Sequence, residues 1–210
     1  MSVVERLASQ LGRVDEEPNI ELAHELANRN DLSGIEEVIE NLANKDKKIQ
    51  SDCIKVAYEI GLINPELISP YTLTFIKLLS SRNNRLVWGA MQALSTVAGV
   101  ASEVIMSHLQ EIKVAMQTGS VITIDKGVLT LAKLASVSDK NNKIIFPYLL
   151  NHLEKCRSKE VPQHGESILL AVTSENKEQY LQALQKRASY LTAPQLKRVQ
   201  KIFKVLETSI

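Results

Sequence analysis

A spacing of 37 residues recurs along this chain and constrains its fold more than any other feature. Three columns of mostly apolar residues step through the sequence at this interval. They are Val38, Phe75, Ile112 and Leu149; Leu42, Leu79, Met116 and Leu153; and Ile35, Thr72, Leu109 and Phe146. Within each copy the three columns lie at positions i, i+3 and i+7, which is the spacing of one stripe on an amphipathic helix. Each copy is therefore predicted to begin with such a helix.

A second helix in each copy follows the same interval. Its apolar columns are Ala57, Leu94, Leu131 and Ile168, and Ile60, Val97, Leu134 and Ala171. A column of small residues beside them comprises Cys53, Ala90 and Gly127 and fails at His164. Repetition at this period is typical of stacked helix pairs, in which no pair can bury its apolar face alone. We therefore predict an all-α fold, a right-handed α–α superhelix of about six antiparallel helix pairs.

The repeats are predicted to form a single domain over residues 1–210. Four regular repeats span 33–173, with helix pairs at 33–62, 70–99, 106–136 and 143–173. Residues 1–32, with helices near 3–12 and 18–29, and residues 174–210, with helices near 175–190 and 192–207, break the period. Terminal units of a repeat array are expected to be irregular because one of their faces meets water. These two segments are therefore predicted to be capping helices.

Helix start signals fall near the predicted boundaries. Ser33 and Glu36 form a capping box, and Ser69-Pro70 combines a serine cap with proline at the first helical position. Pro147 lies about one turn inside its predicted helix, so that helix either starts late or is kinked.

Composition excludes several classes of protein. A chain with 44% hydrophobic and 23% charged residues is expected to be ordered, and a formal net charge of +1 provides no general attraction for polyanions. The first residues lack the apolar core of a signal peptide, and no apolar stretch approaches the length of a membrane span. We therefore predict a cytoplasmic protein with no membrane partner.

The second helices resemble those of the HEAT repeat family. Leu86–Val97 carries the family's pattern of an aliphatic residue, an alanine four positions later and an Ala-Leu pair after that. Ile49–Ile60 and Ile124–Leu134 follow this pattern more loosely, and the resemblance covers about residues 33–173. The arginine that often follows the first aliphatic residue is absent in all three. The resemblance implies stacked antiparallel helix pairs and protein scaffolding in place of catalysis.

Residues with catalytic or metal-binding chemistry show no recognised pattern. The four histidines are His24, His108, His152 and His164, and no two of them have the i, i+4 spacing that directs two imidazoles to one metal. We expect them on solvated faces. Cys53 and Cys156 form no C-x-x-C motif, and Cys53 is expected to be a small buried residue. The sequence thus predicts no catalytic residue, no cofactor, no metal and no enzyme.

Trp88 departs from its column. The 37-residue interval aligns it with Ser51 and Asp125, which are polar residues not expected in a core. On the concave face of a HEAT-like array, the predicted partner-binding surface combines Trp88 with neighbouring polar and aromatic residues. These are Tyr58, Arg85, Gln92 and Asp125, with Asp52 nearby. Aromatic and arginine side chains often dominate binding energy. The alternative is that Trp88 fills a groove between repeats, and the sequence leaves both interpretations open.

The two ends of the chain carry opposite charge. Residues 1–44 contain ten acidic and three basic residues, whereas residues 177–210 contain seven basic and two acidic residues. Such asymmetry can steer partners or support weak head-to-tail self-association. Ordinary solvation of the capping helices is the simpler interpretation.

The sequence is compatible with two functions. The first is a non-enzymatic scaffold or adaptor that binds a protein or peptide on the concave face. The alternative is a nucleic-acid-binding protein resembling the HEAT-like DNA alkylation repair glycosylases, with Trp88, Asp125 and Arg85 as loose counterparts of their concave-face residues. Nucleic acid is the less favoured partner because the basic residues gather at the C-terminus and not along the second helices.

Overall fold

The computed structural model describes residues 2–208, which form twelve α-helices and no β-strand. The α-helices are α1 (Glu17–Arg29), α2 (Leu32–Glu40), α3 (Lys47–Ile63), α4 (Thr72–Leu78), α5 (Asn84–Val97), α6 (Ser102–Ser107), α7 (Leu109–Thr118), α8 (Val121–Ser136), α9 (Asp139–Lys155), α10 (Val161–Ile168), α11 (Lys177–Ala188) and α12 (Ala193–Thr208). Short 3-10 helices are Val4–Arg6, Asn41–Ala43, Pro65–Leu67, Ser69–Tyr71 and Leu169–Ala171. The all-α prediction is confirmed.

The apolar columns of the 37-residue period form the core. In the first-helix column, Val38, Phe75, Ile112 and Leu149 are all 0% exposed. In the second-helix column, Ala57, Leu94, Leu131 and Ile168 are equally buried. Burying apolar surface in this way is the main favourable term in folding. The period therefore predicted correctly which face of each helix turns inward.

The four regular helix pairs lie close to their predicted positions. They are α2 with α3, α4 with α5, α7 with α8, and α9 with α10. One short helix, α6, precedes the third pair and was not predicted. At the N-terminus, the helix expected near 3–12 is reduced to the 3-10 turn Val4–Arg6, so this end is less regular than predicted.

Two of the predicted helix starts are wrong in detail. The carboxylate of Asp31, and not a capping box at Ser33, accepts a hydrogen bond from the Gly34 N–H at 3.0 Å, and α2 begins at Leu32. In the next repeat, Ser69 begins a 3-10 turn, and its hydroxyl donates to the Glu66 carbonyl at 3.0 Å. Aspartate competes well with serine for a cap position, so an earlier aspartate displaced the predicted start.

Pro147 lies inside α9. This helix begins earlier than predicted, because the Ser138 hydroxyl oxygen accepts a hydrogen bond from the Asn141 N–H at 3.2 Å and caps the first turn. The late start that proline suggested is therefore wrong. Proline removes only one backbone donor from the helix, and the buried stripe of Ile145, Leu149 and Leu153 continues past it.

The chain divides into two compact units, Met1–Gly127 and Val128–Ile210. In the first unit, α1, α3 and α5 pack side by side as a row of second helices. Gly89 permits this close packing, since a Cβ atom there would lie 2.5 Å from Ile54 Cγ1. In the second unit, α9 packs on α10 and α11, and α10 packs on α12. None of the described helices is long and apolar enough to span a membrane.

Candidate functional site

Trp88 belongs to a group of aromatic and charged side chains in the first unit. We call this group the Trp88 cluster, and its members are Glu16, Lys55, Tyr58, Arg85 and Trp88. Glu16 precedes the first residue of α1, Lys55 and Tyr58 lie one turn apart on α3, and Arg85 and Trp88 lie one turn apart on α5. The row of packed helices thus brings together residues that are up to 72 positions apart in sequence.

Trp88 is in contact with a cation and with a second aromatic ring. The guanidinium carbon of Arg85 lies 4.2 Å from the centroid of the indole, which is a cation–π geometry. The ring of Tyr58 is tilted by 44° at a centroid distance of 6.1 Å, within the range of favourable aromatic pairs. Tyr58 is only 7% exposed, whereas Trp88 is half-buried. The indole therefore packs beside a nearly buried tyrosine ring and is itself partly accessible to solvent.

The charges of the cluster are paired. The Lys55 ammonium lies 2.7 Å from a Glu59 carboxylate oxygen and 3.1 Å from Glu16, and 5.0 Å from the centroid of the Tyr58 ring. The Arg85 guanidinium forms an ion pair with the same Glu16. Because a buried charge is costly without a partner, these carboxylates let Lys55 stay buried. They also hold Arg85 over the indole.

The pKa values of the cluster reflect this pairing. Burial alone would raise the pKa of Glu16, but hydrogen bonds from Arg85 and Lys55 outweigh it and lower the pKa below its ordinary value of 4.5. Burial would lower the pKa of Lys55, yet its bonds to Glu59 and Glu16 raise it. Burial raises the pKa of Tyr58, partly opposed by Lys55. At neutral pH Glu16 is therefore a carboxylate, Lys55 an ammonium and Tyr58 a neutral phenol.

The other predicted surface residues have different surroundings. Gln92 follows Trp88 by one turn on α5 and Asp125 lies on α8, and both are half-buried. Asp52 has a structural role, because its carboxylate accepts hydrogen bonds from the Ser9 N–H and the Asn19 amide, each at 2.8 Å. It thereby fastens the N-terminal segment to α3. The grouping of Tyr58, Arg85, Trp88, Gln92 and Asp125 as one partner-binding surface stays a prediction.

Three charged residues around Trp88, namely Glu16, Lys55 and Glu59, were not predicted to lie there. Lys55 and Glu59 have the i, i+4 spacing of a helical ion pair, and this signal was available in the sequence. Glu16 was not accessible in the same way, since it lies 69 residues before Arg85. Only the packing of α1 near α3 and α5 reveals that one carboxylate serves two cations.

A second feature of the first unit is an open groove of about 710 Å³. Its walls come from α4, α7, the turn before α5 and the first turn of α5, and they include Leu73, Val87 and Val114 together with Arg82 and Glu111. Leu73 and Val114 are 48% and 47% exposed. The 37-residue period predicted only which residues of α4 and α7 are buried. It did not predict the exposed apolar residues on the other side of these helices.

Part of the charge at the chain ends is neutralised within each unit. In the first unit, Arg13 pairs with Asp15 and Glu17 at 2.9 Å, and Arg29 pairs with Glu25 at 2.7 Å. In the second unit, other bases bind carboxylates or carbonyls. They include Arg198 with Glu166 and Lys177 with the Leu206 carbonyl. These pairs support the simpler interpretation of ordinary solvation, and head-to-tail association stays a prediction.

The second unit brings together side chains that can bind a metal. His152, Cys156 and His164 place one ligand atom each within 4.8 Å of one another. The expectation that the histidines lie on solvated faces is wrong for His164, which is 0% exposed. The sequence signals were the i, i+4 spacing of His152 and Cys156 and the failure of the small-residue column at His164.

Comparison with solved structures places the fold among α-solenoids of the armadillo and HEAT type. An engineered protein superposes with a TM-score of 0.66 at 19% identity, over 99% of this chain and 98% of the other. A designed armadillo repeat protein in complex with the peptide (KR)4 has a TM-score of 0.68 at 15% identity, over 96% and 97%. The karyopherin Kap121p bound to the SUMO protease Ulp1p has a TM-score of 0.65 at 15% identity, over 95% of this chain and 22% of its own.

These structures share the fold with this chain. Neither a protein-family model nor a curated protein matches its sequence. At identities below a fifth, the likeness extends to the arrangement of helices and not to particular binding residues. The predicted HEAT-like α-solenoid is thus confirmed by structure, while the binding surface must be argued from this chain's own residues.

Proposed function

We propose that this chain is a non-enzymatic scaffold or adaptor that binds a protein or peptide on the face formed by α1, α3 and α5. The observation that supports it most is the state of Trp88. The helical period assigns a polar residue to that position, and the structure holds a half-buried indole there between Arg85 and Tyr58. Partly exposed tryptophan and arginine are the residues that most often anchor protein partners.

The cluster is suited to binding because it is organised before a partner arrives. The ion pairs from Glu16 to Arg85 and Lys55 fix the cation above the indole. Ordering a long side chain on binding costs roughly 0.5–1.5 kcal/mol, and side chains already held in place avoid most of that cost. A partner side chain that packs against the accessible part of Trp88 would contact an arginine and an indole that are already ordered.

Structural neighbours support a binding role at the level of the fold. One designed armadillo protein is described in complex with the peptide (KR)4, and Kap121p is described bound to Ulp1p and to Pho4p. Each of these proteins is thus described with a polypeptide partner. We extend only that general role to this chain, and the cytoplasmic location expected from the sequence remains a prediction.

The nucleic-acid alternative is less well supported by the cluster. Both of its cations, Lys55 and Arg85, already pair with carboxylates, and phosphate would have to compete with Glu16 and Glu59. Nucleic-acid binding is strongest at low salt, where fewer counterions compete for the phosphates. Failure to bind duplex DNA at low salt would remove this alternative, whereas binding that is lost in Trp88→Ala would favour it over the scaffold.

Quantitative affinity capture from the source cell tests the proposed function. The tagged chain is compared with Trp88→Ala and with the matched control Tyr190→Ala, which removes an aromatic residue that is 72% exposed in the second unit. We expect a specific polypeptide partner to be retained by the wild type and the control and lost at least tenfold in Trp88→Ala. Retention of all partners by Trp88→Ala, with its circular dichroism unchanged, would contradict the proposal.

A further inference from the structure

The second unit contains a group of side chains that the proposed function does not use. We call it the His–Cys cluster, and it consists of His152, Cys156 and His164. His152 lies in the last turn of α9, Cys156 directly follows that helix, and His164 is the fourth residue of α10. The Cys156 N–H donates to the His152 carbonyl at 2.8 Å, so the helical spacing continues to Cys156 and both side chains share one face.

The two imidazoles lie almost at the separation required by a shared metal ion. His152 Nε2 is 3.1 Å from His164 Nδ1. Two nitrogens bound to one tetrahedral zinc ion at about 2.0–2.1 Å are roughly 3.3 Å apart. The Cys156 sulfur lies within 4.8 Å of one ring nitrogen of each histidine, and a sulfur bound to the same zinc ion would lie roughly 3.5 Å from both bound nitrogens. The Cys156 thiol donates to the Leu153 carbonyl at 3.5 Å. Metal binding would replace this weak hydrogen bond and would require the sulfur and the nitrogens to approach by at most about 1.3 Å.

The surroundings fix the cluster on two sides. Arg187 donates to the carbonyls of Glu154 and Cys156 at 2.7 and 2.6 Å, and thereby holds the end of α9. The Arg157 Nε donates to Glu160 at 2.8 Å across the turn that leads into α10. His164 is fully buried, whereas His152 and Cys156 are half-buried. A metal ion could therefore reach the ligands from the side of His152 and Cys156.

We propose that His152, Cys156 and His164 form a binding site for a divalent transition-metal ion, with zinc as the expected occupant. Two imidazole nitrogens and one thiolate are a ligand set that suits zinc, and three protein ligands leave the fourth position to water or to a group from outside the chain. On binding, the cysteine thiol releases its proton to solvent. The imidazole that donates the histidine–histidine hydrogen bond moves its proton to its other nitrogen.

Cobalt(II) titration of the metal-free chain, residues 1–210, tests the site. Cobalt replaces zinc in such sites, and a bound thiolate gives it a charge-transfer band in the near ultraviolet that histidine alone does not give. We expect the wild type to bind one equivalent with this band, and zinc to displace it. Cys156→Ser should abolish the band, and His152→Gln, which alters a half-buried side chain, should weaken binding at least tenfold.

Matched variants control for the other thiol and for a histidine elsewhere. Cys53→Ala and His108→Gln alter residues of the first unit, and each should retain the band and the affinity of the wild type. Circular dichroism of every variant reports whether it has folded. Absence of the band in the wild type at saturating cobalt would overturn the site, as would its persistence in Cys156→Ser. Equal loss in folded Cys53→Ala or His108→Gln would overturn it as well.

Discussion

Each unit contains a residue that breaks the 37-residue period, Trp88 in the first and His164 in the second, and these two exceptions differ in kind. In the first unit, Trp88 stands in a polar column and is half-buried beside Arg85 and Tyr58. In the second unit, His164 stands in the small-residue column and is fully buried, with a nitrogen 3.1 Å from His152. The first is an apolar residue on a polar face, and the second is a polar residue in the core.

The two kinds of exception have different physical requirements. A large aromatic side chain on a polar face remains partly accessible and needs support, which Arg85 and Tyr58 provide. A polar side chain in the core must be hydrogen-bonded or must bind a ligand, because an unsatisfied buried polar group costs free energy. An aromatic residue on a polar face, such as Trp88, therefore suggests contact with a partner. A polar residue in the core, such as His164, suggests a hydrogen bond to a neighbouring polar group or a bound ion.

Truncation of a residue in one of the regular apolar columns should have the largest effect on stability, because these residues form the core. Phe75→Ala removes a fully buried ring and is expected to lower the free energy of unfolding by about 3–5 kcal/mol. The control Leu73→Ala, on the same helix but 48% exposed, should change it by less than about 0.5 kcal/mol. Urea unfolding followed by circular dichroism measures both. Equal effects would mean that the period does not mark the core.

Removal of the buried charge of Lys55 from the Trp88 cluster should have the next largest effect on the free energy of unfolding. In Lys55→Met the Glu59 carboxylate loses its cation, and the free energy of unfolding should fall by about 1–3 kcal/mol. Arg29→Met is the matched control, because Arg29 also forms an i, i+4 ion pair but its side chain is 73% exposed, against 9% for Lys55. The control should cost about 0–0.5 kcal/mol. A Lys55 variant no less stable than the control would show that the cluster is not held by its charges.

In the second unit, a smaller loss is expected near the His–Cys cluster. The buried Tyr180 hydroxyl donates to the Gly165 carbonyl, next to His164, at 2.6 Å. Tyr180→Phe should lower the free energy of unfolding by about 1 kcal/mol, while Tyr190→Phe, an exposed tyrosine, should leave it unchanged. Chemical unfolding of both variants measures the difference. A neutral Tyr180→Phe would mean that this buried hydrogen bond does not fix the first turns of α10.

The smallest expected effect is a dependence of stability on pH. Although burial opposes it, pairing with Arg85 and Lys55 lowers the pKa of folded Glu16 below 4.5. Its contribution to stability is therefore complete above about pH 4.5 and is lost as the pH falls through the lowered folded value. Glu16→Gln should be less stable than wild type at pH 7, and the gap should narrow below pH 4.5. A gap that is constant across this range would contradict the pairing.

The sequence predicted the fold well because its signal is repetitive and local. The column that contains Val38 and Phe75 has an apolar residue in each of four repeats. One atypical residue therefore does not obscure the pattern. Helix starts were predicted less well, since Asp31 and Ser33 both qualify as caps and only the packed structure selects between them. Repetition thus specifies the buried face more firmly than the ends of each helix.

The candidate sites were predicted only in part, for a physical reason. Trp88 was found because it violates its column, yet Glu16, which supports it through Arg85, directly precedes α1 and lies 69 residues before Arg85. His164 violated a column too, but its meaning depends on His152 and Cys156 lying on the adjacent helix. Contacts across helices are set by packing, and a one-dimensional period does not contain them.

Site-specific photo-crosslinking determines whether a partner binds at the Trp88 cluster. A photoreactive phenylalanine analogue replaces Gln92, one turn from Trp88 on α5, in one variant and Tyr190 in another, so that Trp88 itself is kept. Both variants are irradiated in the source cell, and we expect a discrete polypeptide adduct from position 92 and none of the same mass from position 190. The same adduct from both positions, or an adduct from position 190 alone, would contradict binding at the Trp88 cluster.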